Sequence, residues 1–174
     1  MGYMLWFWRF VFYSFVGFLL EITFARMIHH PKRDRKCLLL LPLCPVYGFG
    51  ALCILWLARL WPAPLWVMIA GLCGATGAEY LTGLFYRHAL GVDFWDYTHL
   101  PHNLDGLICL PFSLAWTVLA LALVYWADPL AQPLLAAIPP AVTALAIIVL
   151  AADVAVSCVA LRRTGTTEVL RWYH

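Results

Sequence analysis

The chain has 174 residues, 64% of them hydrophobic and 11% charged, with a net charge of +2 and a mean hydropathy of +0.85. Soluble domains carry about 25% charged residues, so this composition excludes a water-soluble globular fold and places the chain in a bilayer. No GxxxxGK[ST] phosphate loop is present, the six cysteines form no CxxC pair, and nothing points to nucleic acid.

A membrane-spanning helix takes about 20 apolar residues. Five stretches qualify, at 4–25, 38–60, 64–86, 104–127 and 141–161. They predict a single all-α domain over 1–174, a polytopic membrane helix bundle. The first stretch lacks a small-residue cleavage site and reads as a span, not a signal peptide. The apolar stretch 129–140 holds Pro133, Pro139 and Pro140 and reads as an interfacial link.

Charge sets the expected orientation. With the N-terminus outside and the C-terminus cytoplasmic, the inner segments hold Arg26, Lys32, Arg33, Arg35, Lys36, Arg87, Arg162, Arg163 and Arg171. Only Arg9 and Arg59 remain on the outer side, where Arg9 is expected to snorkel outward. Trp6, Trp8, Trp56, Trp61, Trp66 and Trp126 then form an outer aromatic belt, with Trp95 and Trp172 at the inner interface.

Ionisable residues inside spans are costly and mark candidate sites. Glu21, Glu79 and Asp153 lie roughly 7–12 Å from the inner ends of their spans at ~1.5 Å per residue. Each sits on a stripe of small or polar residues: Ser14, Gly17 and Glu21; Gly71, Ala75, Glu79 and Thr82; Thr143, Ala146, Leu150, Asp153 and Ser157. Such stripes pack helices closely, so the acids should face the bundle interior. The loop VDFWDYTHLPHNLDGLICLP adds Asp93, Asp96 and Asp105 on the same side. Spans two and four are expected to be broken near the cytoplasmic face by Pro42 and Pro45 and by Pro111, freeing the carbonyls of Leu38, Leu41 and Leu107. His99 and His102 are spaced with Asp96 and Asp105 by three, but Pro101 interrupts any helix that would align them.

The segments FYSFVGFLLE, CPVYGFG, GAEYLTG, FWDY and PHNLDGLICL resemble, in this order, a family of bacterial membrane proteins, the CmpB-like ABC-transporter type IV permeases. The family pattern maps onto Glu21, Cys44, Pro45, Tyr47, Gly48, Glu79, Trp95, Asp96, Tyr97, Pro101, Asn103, Gly106 and Cys109. Thr98 stands where the family usually has serine, and Arg35, Lys36 and Cys37 replace an expected arginine-glycine pair. His99 and His102 lie outside the pattern.

The resemblance implies a permease subunit in the bacterial inner membrane, moving a small solute or ion and driven by an ATPase on a separate chain. Five spans are few for a transporter, so a partner or a homo-oligomer is expected. The site candidates are Glu21, Tyr47, Glu79, Trp95, Asp96, Tyr97, Asn103, Asp105 and Asp153. Glu21, Glu79 and Asp96 are expected to converge on one cytoplasm-facing cavity, where they would suit a divalent cation such as Mg. Two alternatives stay open: a membrane-embedded enzyme acting on a lipid or lipid-linked substrate, and a structural or assembly subunit.

Overall fold

Long apolar runs without a helix breaker become long helices, and here they do. A computed structural model describes residues 2–27 and 36–171. Lys32, Arg33, Arg35 and Trp172 lie outside these residues. Helix α1 spans Gly2–Met27, α2 Pro45–Ala58, α3 Pro64–Leu90, α4 Leu110–Ala136 and α5 Pro140–Thr164. Four of the five are long and apolar enough to cross a membrane, and α2, with 14 residues, is shorter. The protein is therefore an all-α, multi-pass membrane bundle. Leu145, Ile148, Leu130 and Leu134 are among many large side chains left exposed, as a lipid-facing surface requires.

The helices alternate in direction. At one end Arg59, which follows α2, lies over Trp6 of α1, Asp128 of α4 bonds Arg9, and Trp8 bonds Thr143 near the start of α5. At the other end Tyr47 of α2 bonds Glu21 of α1, and Tyr80 of α3 bonds Asp105 in the loop before α4. The exposed Trp56, Trp61 and Trp126 gather at the Arg9 end, while Trp95 sits at the Glu21 end.

Helices α1 and α2 approach closely because Gly17 has no side chain. A Cβ there would lie 2.2 Å from the Tyr47 Cβ. This contact brings the Tyr47 hydroxyl within 3.0 Å of the Glu21 carboxylate one turn further along α1.

Three features differ from the sequence expectations. First, most of 129–140 is helical, because α4 continues through Pro133 to Ala136. A π-helical turn at Leu123–Ala127 has already opened the ordinary bonding ladder just before Pro129. Second, Arg9 does not snorkel. It is 6% exposed and forms a two-pronged ion pair with Asp128, at 2.8 and 2.5 Å. Gln132 and Tyr13 complete the cluster. The sequence pattern hid Asp128 because it lies past the boundary drawn for the fourth span. Third, the loop before α4 contains a small hairpin, β1 (Asn103–Leu104) and β2 (Ile108–Cys109). Its turn places Asp105 and Gly106 at φ 55° and 69°, the left-handed values that Asp-Gly pairs tolerate.

The breaks in spans two and four are present, and their prolines sit at helix starts. Pro45 opens α2, and Pro111 lies in the first turn of α4. The carbonyls expected to be free are partly consumed. Leu41 accepts from the Leu43 N–H at 2.8 Å, and Leu107 accepts from the Trp95 indole at 2.7 Å.

Between α1 and α2 the chain runs without helix from Lys36 to Cys44, against the buried face of α5. Such backbone survives at membrane depth only when protein satisfies it. Ser157 accepts from the Leu39 N–H at 2.8 Å, and the Asp153 carboxylate accepts from Leu40 and Leu41 at 3.0 and 2.7 Å. Cys44 donates to the Ser14 carbonyl at 2.9 Å, and the Cys37 and Cys44 thiols touch. Asp153→Ala would strand two part-buried N–H groups at ~1–3 kcal/mol each, so unfolding in mixed micelles should show a loss of about 2–4 kcal/mol. Asp153→Asn, which keeps one acceptor oxygen, should lose less. An Asp153→Ala protein of parental stability would contradict this role.

Candidate functional site

The candidate acids lie on three small-residue stripes, on α1, α3 and α5. Ser14 and Gly17 of α1 and Gly71, Ala75 and Glu79 of α3 are buried, with Glu21 at the partly exposed end of its stripe. The third stripe, on α5, turns Thr143, Asp153 and Ser157 inward, as its spacing predicts.

Glu79 is 6% exposed and accepts two bonds. The Tyr97 hydroxyl donates at 3.1 Å and the Trp116 indole at 2.9 Å. The Trp116 ring lies 5.4 Å from the ring of Tyr47, whose hydroxyl donates to Glu21 at 3.0 Å. Glu21, Tyr47, Trp116, Glu79 and Tyr97 thus form one connected cluster drawn from α1, α2, α4, α3 and the loop. Glu21 is near enough to interact electrostatically with both Glu79 and Tyr97.

The loop explains why Tyr97 arrives there. The Tyr97 N–H donates to the Gly106 carbonyl at 2.8 Å, and its ring stacks on Phe112 at 4.8 Å. Asn103 donates to the Leu100 and Thr98 carbonyls and accepts from the Gly106 N–H. Trp95 is pinned to Leu107. Arg87 grips Asp93 at 2.8 Å and the Asp105 carbonyl at 3.0 Å. Burial and the Glu79 charge push the Tyr97 hydroxyl above the usual tyrosine range, so it remains a donor.

The structure therefore brings together Glu21, Tyr47, Glu79 and Tyr97 of the candidate residues. It places the others apart from that cluster. Asp96 is exposed and accepts from the Thr98 N–H at 2.9 Å. Asn103 and Asp105 are exposed loop residues, and Asp153 serves the backbone of Leu40 and Leu41. Trp95 packs beneath the loop against Tyr86. Among the described residues no group of three His, Cys, Asp or Glu side chains is arranged to hold a metal ion. Cavities at the bundle surface beside Ser113 and beside Arg9 are not lined by Glu21 or Glu79. Trp116 escaped the sequence reading, although an indole in mid-span whose N–H needs a partner is a usable signal.

Neither Glu21 nor Glu79 forms an ion pair with Lys or Arg among the described residues. Asp93, Asp128 and Glu168 each have an arginine. Among the described residues Glu21 and Glu79 are held by Tyr and Trp donors. Ionisable groups inside a membrane bundle are costly and mark candidate sites.

Residues 8–160 match the family model described as "Putative ABC-transporter type IV". No curated protein and no solved structure matches the chain.

The Thr98 N–H holds the Asp96 carboxyl below its usual range. A lowered folded value stabilises the loop at neutral pH, and that contribution disappears as pH falls through the folded pKa, below the unfolded value of about 3.9. Hydrogen exchange at the Thr98 amide should therefore lose protection only in acid. Asp96→Asn, which can still accept the bond, should remove this component of the pH dependence. An unchanged acid profile in the variant would assign the loss to other groups.

Proposed function

We propose that this chain, which belongs to the putative ABC-transporter type IV family, is a membrane-embedded transport subunit whose cargo is a small cation or a proton-coupled solute. The observation that carries this reading is the Glu21–Glu79 cluster: two carboxylates in the bundle with neutral hydrogen-bond donors and no cationic partner among the described residues. A cation entering it would supply the charge that the protein does not. Tyr97 belongs to a loop and Trp116 to α4, so a shift of the loop against α4 would change how strongly Glu79 holds a proton or ion. The sequence carries no phosphate loop, so an ATPase on a separate chain would supply the energy. The basic residues of the Glu21 end support a cytoplasmic placement of that end in a bacterial inner membrane. The reading as a lipid-acting enzyme draws less support, because Asp96 and Asn103 are engaged within their own loop and Asp105 is held by Tyr80 of α3.

The test is to isolate the chain from membranes in mild detergent and reconstitute whatever copurifies. A nucleotide-hydrolysing subunit is expected. Glu79→Gln keeps size and can bond both Tyr97 and Trp116, so assembly should persist while transport-coupled ATP hydrolysis falls at least about tenfold, a loss of ~1.4 kcal/mol or more. Absence of an ATPase, or a fully active Glu79→Gln complex, would refute the proposal. In the same vesicles a cysteine at Thr166 should be closed to impermeant thiol reagents added outside right-side-out membranes.

A further inference from the structure

At the end of the bundle opposite the glutamate cluster, a cavity of about 320 Å³ opens between α1, the end of α2 and α4. Arg9, Arg59, Asp128 and Gln132 supply its polar wall, and Leu55 and Val124 are part of its apolar wall. The charges do not balance. Arg9 and Asp128 neutralise each other through a buried fork of bonds at 2.8 and 2.5 Å, and the Tyr13 hydroxyl donates a further bond to Asp128. Arg59 is exposed and forms no ion pair among the described residues. Both guanidinium groups lie within 5.2 Å of the same Trp6 ring centroid. The bonds from Arg9 to Asp128 and Gln132 run through Nε and Nη2, and the Nη1 hydrogens take no part in them.

The pocket thus carries one surplus positive charge beside apolar walls, and it lies among the exposed Trp56, Trp61 and Trp126. Tryptophan collects at headgroup depth, and arginine is well suited to phosphate. Leu5, Ala58 and Pro129 complete the apolar wall. We propose that this pocket binds a singly charged oxyanion carried on an apolar stem, such as the phosphodiester headgroup of a membrane lipid. Arg59 supplies the attracting charge. Because Arg9 and Asp128 neutralise each other, Arg59 alone is left without a counter-charge among the described residues, which matches the site to one negative charge.

The experiment uses the full chain, delipidated in neutral detergent, and native mass spectrometry. Phosphatidylglycerol and phosphatidylcholine of matched chains are the lipid probes, and dibutyl phosphate is the soluble monoanion. One phosphatidylglycerol adduct should form at least fivefold more tightly than any phosphatidylcholine adduct. Arg59→Gln should bring the two to the same level, while Arg59→Lys should keep at least half of the preference. Retained phosphatidylglycerol in the presence of dibutyl phosphate assigns the site to bilayer lipid. Arg59-dependent binding of dibutyl phosphate without a phosphatidylglycerol preference assigns it to a soluble oxyanion. Equal binding of both lipids together with no dibutyl phosphate binding would overturn the proposal. So would a preference unchanged in Arg59→Gln, or one lost equally in Arg59→Lys.

Discussion

A backbone N–H or carbonyl left unbonded in hydrocarbon costs several kcal/mol, and the structure answers that constraint wherever its helices stop. The non-helical stretch from Lys36 to Cys44 is possible because α5 offers Ser157 and Asp153 to its amides. The polar loop between α3 and α4 is held by Asp96, Asn103 and Trp95, each bonded to nearby backbone. Most of the polar residues concentrated at the Glu21 end are therefore folding devices. They are costly to bury, and they are there because the chain leaves the helical state.

That sorting isolates the residues with no such duty. Glu21 and Glu79 bond no backbone amide and no arginine among the described contacts, only Tyr47, Tyr97 and Trp116. Charge near Glu79 is thus coupled to the loop through Tyr97 and to the α1–α2 contact through Tyr47. Two parts of the fold, the loop and α2, thus each touch one end of the same cluster.

Much of this was legible in the sequence, for identifiable reasons. The helical period puts Glu79, Asp153 and Ser157 on inward faces, while Pro45 and Pro111, read as breaks inside spans drawn from 38 and 104, lie in the first turns of α2 and α4. What could not be read was the role of each carboxylate. Asp153 and Glu79 have the same spacing signature, yet one faces a run of backbone and the other a pair of aromatic donors. That difference depends on which segment packs opposite, which periodicity along one helix does not encode. Arg9 was misread for a related reason. Its fate depended on Asp128, 119 residues away, in a stretch whose prolines argued against a helix. The Asp-Gly turn of the hairpin was a readable local signal that the strong membrane character of the surrounding sequence obscured.

The central claim is that Tyr97 reaches out of its loop to bond Glu79. A double-mutant cycle with Tyr97→Phe and Glu79→Leu, read by reversible unfolding in mixed micelles, measures that bond directly. A hydrogen bond to a buried carboxylate should give a coupling energy of about 1–3 kcal/mol between the two substitutions. Effects that add to within about 0.3 kcal/mol would mean the two residues do not interact.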